Sequence, residues 1–501
     1  MTQTSPFEVP NQGRARSRRD ASLFGERRCG QMIRAYVRPV LTALLSVALL
    51  SSCADKGSPT TDPPTADNPN TIKVGVVLSL SGPLATGDDA KRGAEVAVAQ
   101  INALGGVLGK QLELEAVDDQ SDEKIARAKF DELLAKDVVL AIGPSTNGAA
   151  LAIKDLLLSD KLLVISPSAT SPVLDVLDSD AGAAPANPRP DQEGLKPVFL
   201  RTAATDIFLA TAIAQYASEI PNGETERRCG NIVLVSQGDD YGRPIAALVE
   251  DRYVKLGLGI ARKLELDPNV ANASKLDSAA AEAASTLQAK CQIIVAQPQI
   301  AGAYMLAFKK YQLINPTKRD YSAFLTIGSD GLRQDKFIEA GRTDPSDKSA
   351  PTAGEGGFTL AADAAPEGKF STQEFSAFAN LYKAHNPGTT SVGRYASTAF
   401  DAPKAARGSA PTLSATDVVA IRQALYKISK GRVIVGPNRM TEYFDLIRRG
   451  EDINYEGASG PCDFLPSGTV RSDFAVWQIV NSSFERRATI PADVLSEQSS
   501  L

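Results

Sequence analysis

The residues able to do chemistry in this sequence are few in kind. A single histidine, His385, stands among 501 residues. A histidine-ligated zinc site and a Ser-His-Asp relay both need imidazole near neutral pH, so neither is expected, and no metal or other cofactor is implied. There is no G-x-S-x-G elbow, no Walker A loop and no H-E-x-x-H helix. Gly105-Gly106-Val107-Leu108-Gly109 is glycine-rich like a phosphate loop, but it falls between a helix end and a strand start. A phosphate loop needs the opposite order, strand then helix, so this segment reads as a turn. The carboxylate pairs Asp118-Asp119 and Asp239-Asp240 suit either acid/base chemistry or capping.

What the chain does carry is small polar residues where apolar runs end. Ser79 to Gly82, Ser145-Thr146-Asn147, Ser168-Ala169-Thr170-Ser171, Gly238 to Tyr241 and Ser329-Asp330-Gly331 each follow such a run. Any one of them reads as loop or N-cap chemistry. All five lie at the C-terminal ends of predicted strands, where open α/β sheets bind ligands, and together they predict the lining of one cleft.

The stretches that must position them alternate in type. Strands are predicted over 72–80, 111–119, 138–145 and 162–168, with helices over 88–104, 122–136 and 148–158. After a Pro/Ala-rich excursion at 178–197 the rhythm restarts. Strands are expected at 199–203, 231–237, 292–299, 324–330 and 358–363, and helices at 206–219, 241–256 and 301–311, with a last helix at 415–429. Nearly continuous apolar, β-branched strands separated by helices require parallel sheets covered on both faces. Two such series predict an α/β protein of two lobes with a cleft between them.

Charge is unevenly spread. The formal net charge is -5, yet residues 1–38 hold eight arginines against three acids. An uncharged apolar stretch follows from Pro39 to Ser52 and ends at Cys53. Basic region, short apolar core and small-residue junction form a secretory signal over 1–52, too short to span a bilayer. Met32 would open a signal of ordinary length. Leu50-Ser51-Ser52-Cys53 resembles a bacterial lipobox, which implies acylation of Cys53, and the Pro/Thr/Asp-rich residues to 71 read as a flexible tether. The expected product is an extracytoplasmic body that meets a bacterial membrane only through its lipid. An acidic chain without a basic face is not expected to bind nucleic acid. Cys229 and Cys291 each precede a predicted strand of the second series, and starts of neighbouring parallel strands come within disulfide range. A Cys229–Cys291 bridge is expected, against the alternative of two buried thiols, and Cys462 is left over.

From about Ile72 to Val480 the chain resembles the leucine/isoleucine/valine-binding proteins, the type I periplasmic solute-binding proteins of ABC transporters. The phrases that carry the resemblance are IKVGVVLSLSGPLA, GAEVAVAQINALGGVLGKQLEL, VVLAIGPSTNGAALA, LLVISPSATSPVL, FLRTAATD, DDYGR, IGSDG and GASGPCDFLPSGTVRSDFAVWQI, in the family's order. The resemblance implies a two-lobed fold with three crossover strands, near 200–204, 356–361 and 456–464. Lobe one would then be 72–202 plus 360–458, lobe two 203–359 plus 459–490, and 491–501 a tail. It implies a binding protein, not an enzyme, that captures an amino acid and delivers it to ABC permease subunits.

Carried over residue by residue, the resemblance assigns the Ser168 backbone carbonyl, the Thr170 hydroxyl and the Asp330 carboxylate to a ligand ammonium. It assigns the Tyr241 hydroxyl to the ligand carboxylate, with Asn147 standing where the family has a serine. The two side-chain tyrosines of the family are not kept, their places falling at Thr86-Gly87 and near Pro298-Gln299. The ammonium end is therefore better preserved than the apolar pocket, which opens the ligand class to polar amino acids and to amide- or urea-like molecules. A sensor of the same fold, reporting to a membrane receptor, is the rival function. A hydrolase is disfavoured by the missing histidines and nucleophile motif.

Overall fold

Strand β1 (Thr71–Leu78) shows why the apolar runs are continuous. Val74, Val76 and Leu78 enter one core cluster and Val77 the cluster on the opposite face. With both faces buried from Val74 to Leu78, that stretch carries no polar side chain. The computed structural model describes residues 70–159, 161–176, 199–219, 229–269, 273–318, 321, 324–366, 368–408, 418–465 and 467–499. The expected signal segment, Cys53, the linker up to residue 69 and the 178–197 excursion lie outside the described residues.

The first sheet has the order β2-β1-β3-β4-β5 and is parallel throughout. Its other members are β2 (Gln111–Asp118), β3 (Leu140–Ile142), β4 (Leu163–Ser166) and β5 (Phe199–Arg201). The helix Gly87–Ala103 crosses the helix Arg394–Gly408 at Gly93, where a Cβ would lie 2.0 Å from the Ala396 carbonyl oxygen. Only glycine permits that approach. The Gly105–Gly109 segment is a turn, with Gly105, Gly106 and Gly109 all at positive φ.

The second sheet has the order β15-β14-β10-β9-β8-β6-β7. Strands β6 (Asn231–Gln237), β7 (Gly259–Leu266), β8 (Cys291–Val295), β9 (Leu325–Gly328) and β10 (Phe358–Ala362) run parallel. A small third sheet, β11 (Val433–Val435), β12 (Ile453–Gly457) and β13 (Gly460–Pro461), packs on the first lobe, with Val435, Ile453 and Tyr455 in the core of Val74 and Val76. Strands β14 (Phe474–Val480) and β15 (Ser483–Ile490) then complete the second sheet, both antiparallel. That sheet is thus not purely parallel. The β14–β15 hairpin turns on Asn481 and Ser482, both at positive φ, as the twist of a two-residue hairpin demands.

Cys229 and Cys291 are joined in a disulfide at the start of the second sheet, with Cα atoms 5.3 Å apart, and Cys462 is a buried free thiol. Strand β10 belongs wholly to the second sheet, so the boundary expected at 359/360 falls inside a strand. Likewise β13 pairs with β12, so the boundary at 458/459 falls inside a hairpin. The chain passes between lobes at 202–205, 363–372 and 462–473. Within the expected tail, Ala492–Ser499 is a helix whose buried Leu495 packs into the second lobe's core. The helix at 418–428 is therefore not the last, since Met440–Arg448 and Ala492–Ser499 follow it.

Candidate functional site

The lobe-one side of the cleft is held by hydrogen bonds between successive strand-end loops. Ser79 N–H donates to Ser145 Oγ at 3.0 Å, and Ser168 Oγ donates to the Ser145 carbonyl at 2.9 Å. Asn147 Oδ1 accepts from the backbone N–H groups of Thr170, at 2.8 Å, and Ser171, at 3.0 Å. The loop after β3 and the loop after β4 are thereby fixed to each other, and the Asn147 amide NH₂ remains as a donor. The Thr170 carbonyl in turn accepts from Asp206 N–H at 2.9 Å, tying the loop to the first crossover.

On the lobe-two side, Tyr241 opens the helix Gly242–Lys255. Its hydroxyl donates to Asp330 Oδ1 at 2.6 Å, lies 3.0 Å from Ser329 Oγ and accepts from Gly331 N–H at 3.0 Å. Gly331 is required there, because a Cβ would sit 2.8 Å from that hydroxyl and 2.4 Å from the Ala296 carbonyl oxygen. Burial and the Asp330 charge push the Tyr241 phenol well above its ordinary range. This arrangement departs from the role expected for Tyr241, since its hydroxyl proton is committed to a carboxylate of the protein itself.

One member of each carboxylate pair, Asp118 and Asp239, holds local backbone. Asp118 accepts from Leu80 N–H, Ser81 N–H, Ser81 Oγ and Gln120 N–H. Burial opposes its ionisation, but these bonds outweigh it and hold the carboxyl below the usual range. Asp239 accepts from the N–H groups of Tyr241 and Gly242 at the start of the helix.

Asn147, Ser168, Thr170, Tyr241 and Asp330 all line one cavity of about 280 Å³ between the lobes. Glu123, Asp239 and Asp240 also line it, and among the described residues its lining holds no lysine or arginine. Deeper, at the crossovers, a smaller cavity of about 40 Å³ is lined by Thr170, Asp330 and also Asp206, Tyr395 and Ser459. A third, of about 470 Å³, continues past Thr86 and Gln334 toward Asp89 and Trp477. It extends the cleft at Thr86, one of the two places where the resemblance puts a side-chain tyrosine.

Asp206, Arg201 and Gln297 escaped the sequence reading. Asp206 begins a helix, where an acid is unremarkable, yet it is only 3% exposed. Burial and the charge of Asp330 push its carboxyl up to about 7, while the Thr170 hydroxyl bond and Arg201 pull it down. Burial lowers Arg201 to about 10, with Asp206 opposing the shift. The signal present in the sequence was Arg201 itself, a charge at the end of an otherwise apolar strand. Among the described residues no group of three or more His, Cys, Asp or Glu is placed to hold a metal ion. No helix among them is long and apolar enough to cross a membrane.

Comparison with known proteins gives the same outline. The sequence is 30% identical over 176 residues to the Leu/Ile/Val-binding protein BraC3 of Rhizobium johnstonii, an alignment covering 35% of this chain and 42% of that protein. The chain thus spans less than half of that relative's length. The leucine-binding protein LivK of Thermotoga maritima superposes with a TM-score of 0.62 at 17% identity, covering 84% of this chain and 99% of the other. A solute-binding protein of Rhodopseudomonas palustris in complex with 3,4-dihydroxybenzoic acid superposes with a TM-score of 0.59 at 18% identity, covering 84% and 98%. A family model described as periplasmic binding protein matches residues 71–443, from β1 to the helix after β11, so the chain belongs to the periplasmic binding protein family, alongside the leucine/isoleucine/valine-binding proteins.

Proposed function

We propose that this protein captures a zwitterionic amino acid in the interlobe cleft and delivers it to the permease of an ABC transporter, outside the cytoplasm and tethered by a lipid on Cys53. The observation that carries the reading is the composition of the cleft. Neutral donors from lobe one, the Asn147 amide among them, face an acid of lobe two, Asp330, across about 280 Å³, while the Thr170 hydroxyl, which donates to Asp206, offers its lone pair to a ligand ammonium. A ligand ammonium against Asp330 makes a charge-assisted hydrogen bond inside a closed site, and its carboxylate takes the neutral donors. Tyr241 then acts through Asp330, which its hydroxyl orients.

Relatives of this fold take different ligands, leucine in one and a dihydroxybenzoic acid in another. The 280 Å³ cavity, lined by several carboxylates and no lysine or arginine, favours a ligand that brings its own cation, while Arg333 and Lys336 line only the continuation beyond it. The polar continuation past Thr86 and Gln334 favours a polar or extended side chain over leucine. A thermal-shift screen of the twenty amino acids beside benzoate and dihydroxybenzoate tests this. An amino acid at about 100 times its dissociation constant should stabilise the fold by about 2.7 kcal/mol. Stabilisation by the aromatic acids alone would refute the assignment.

A further inference from the structure

We infer that Asp206 is a second carboxylate of the ligand site, that it carries a proton when the cleft is empty, and that a ligand ammonium displaces that proton on binding. The inference rests on the reading of the cleft as an amino-acid site and names how it selects a cation.

Three observations of geometry carry it. Asp206 heads the helix after the first crossover and Asp330 sits in the turn after β9, yet both face the small cavity at the crossovers, together with Thr170. That cavity and the main cleft share Thr170, Asp330 and Tyr395, so a head group in the cleft reaches it. About 40 Å³ is room for an ammonium or a few waters, and little more. The nearby cation is Arg201, whose guanidinium is turned to the backbone, donating to the Ser171 carbonyl at 3.0 Å and more weakly to Ala169.

Asp206, buried and beside the half-buried Asp330, resists ionisation without a compensating charge. The groups that face Asp206 are Asp330 from the turn after β9, Arg201 at the end of β5, Tyr241 at the head of its helix and Tyr395 from the helix Arg394–Gly408. Of these only Arg201 is positive, while Glu123, Asp239 and Asp240 add negative charge along the outer cleft. The upward shift of Asp206 to about 7 agrees with a proton held on that carboxyl. An entering ammonium supplies the missing positive charge, so the proton leaves to solvent. A carboxylate-only ligand supplies none and meets two acids.

The test is calorimetry with L-leucine, L-serine and L-glutamine as probes, benzoate as the cation-free control, and two buffers of different ionisation enthalpy between pH 5.5 and 8.5. The probe that binds wild type should release close to one proton at pH 6 and almost none above pH 8. Its affinity should fall about 30-fold from pH 8.5 to pH 5.5, because amino acids do not themselves titrate in this window. Asp206→Asn should bind more weakly at pH 8 and lose both the proton release and the slope. A second measurement needs no variant: infrared difference spectra of wild type at pH 6 should show a protonated carboxyl band that the probe removes. Binding of an amino acid without proton release, or without loss of that band, would overturn this inference and leave the amino-acid assignment standing. Binding of benzoate with no response to any amino acid would overturn both.

Discussion

At the lobe-one edge of the cleft, polar groups hold one another. Ser145, Asn147 and Ser168 spend most of their hydrogen-bonding capacity on neighbouring loops. At the lobe-two edge, a charged group is held in place by a phenol, with Asp330, Tyr241, Ser329 and Gly331 converging within hydrogen-bond distance. The first edge is a neutral, preorganised frame; the second concentrates charge. A ligand whose two ends differ in charge has only one good orientation between them.

The largest effect that separates the edges is removal of the charge. Asp330→Asn nearly keeps shape but leaves a bound ammonium without its partner, which should cost roughly 2–5 kcal/mol in affinity, about 30- to 5,000-fold. Calorimetry with the amino acid returned by the screen measures it. A loss below threefold would place the ligand's cation elsewhere.

The lobes also differ in what holds them. The second sheet is stapled by Cys229–Cys291 across a sequence separation of 62, and no described disulfide braces the first. In the chain-entropy model a loop of that size is worth about 4 kcal/mol. Replacing both cysteines by serine should lower global stability by roughly 2–4 kcal/mol in urea titrations under non-reducing conditions, and reduction of wild type should reproduce the loss. Equal stability with and without reductant would show that the staple adds nothing.

How much of this was legible follows the same division between local and long-range causes. Strand β6 is predicted over the residues it occupies, 231–237, because Val233 and Val235 face one core and Ile232 and Leu234 the other, leaving no polar position between 232 and 235 to blur the run. Strand β7 left no such trace, since it is an edge strand with Arg262, Lys263 and Glu265 exposed. The β14–β15 hairpin has its two-residue turn at Asn481-Ser482, a weaker signal than Asn-Gly. In the cleft, the polar strand ends were visible as a set. That Tyr241 would bond Asp330, 89 residues away, was not, and neither was the burial of Asp206. Each depends on the partner that the fold brings, not on the neighbours in sequence.

The pH dependence of ligand-free stability sharpens the contrast further. The Asp206 carboxyl is raised from an ordinary 3.8 to about 7 in the folded protein. Between those values the folded state holds a proton that the unfolded state releases, so this group favours folding below about pH 4 and loses its contribution as pH rises through 7. Glu456, pushed up to about 7 by burial and by Asp463 and Glu374, adds a slope of the same sign. The informative quantity is therefore the difference between wild type and Asp206→Asn. Wild type should lose more stability than the variant from pH 5 to pH 8, by on the order of 2 kcal/mol. Parallel curves would mean that Asp206 is ionised throughout.

The smallest expected effect tests the neutral frame at the point where it touches the charged one. Thr170→Val deletes a single hydroxyl and keeps the β-branched shape. If that hydroxyl served the ligand alone, the loss would be one neutral hydrogen bond, about 1 kcal/mol. The Thr170 hydroxyl also bonds the Asp206 carboxylate, where it favours the ionised form. Its removal should therefore raise Asp206 further, and the affinity cost should grow as pH falls: about 1 kcal/mol at pH 8.5, where Asp206 is ionised, and more at pH 6. Calorimetry at the two pH values separates the roles. A cost independent of pH would confine Thr170 to the ligand, and no cost at either pH would remove it from the site.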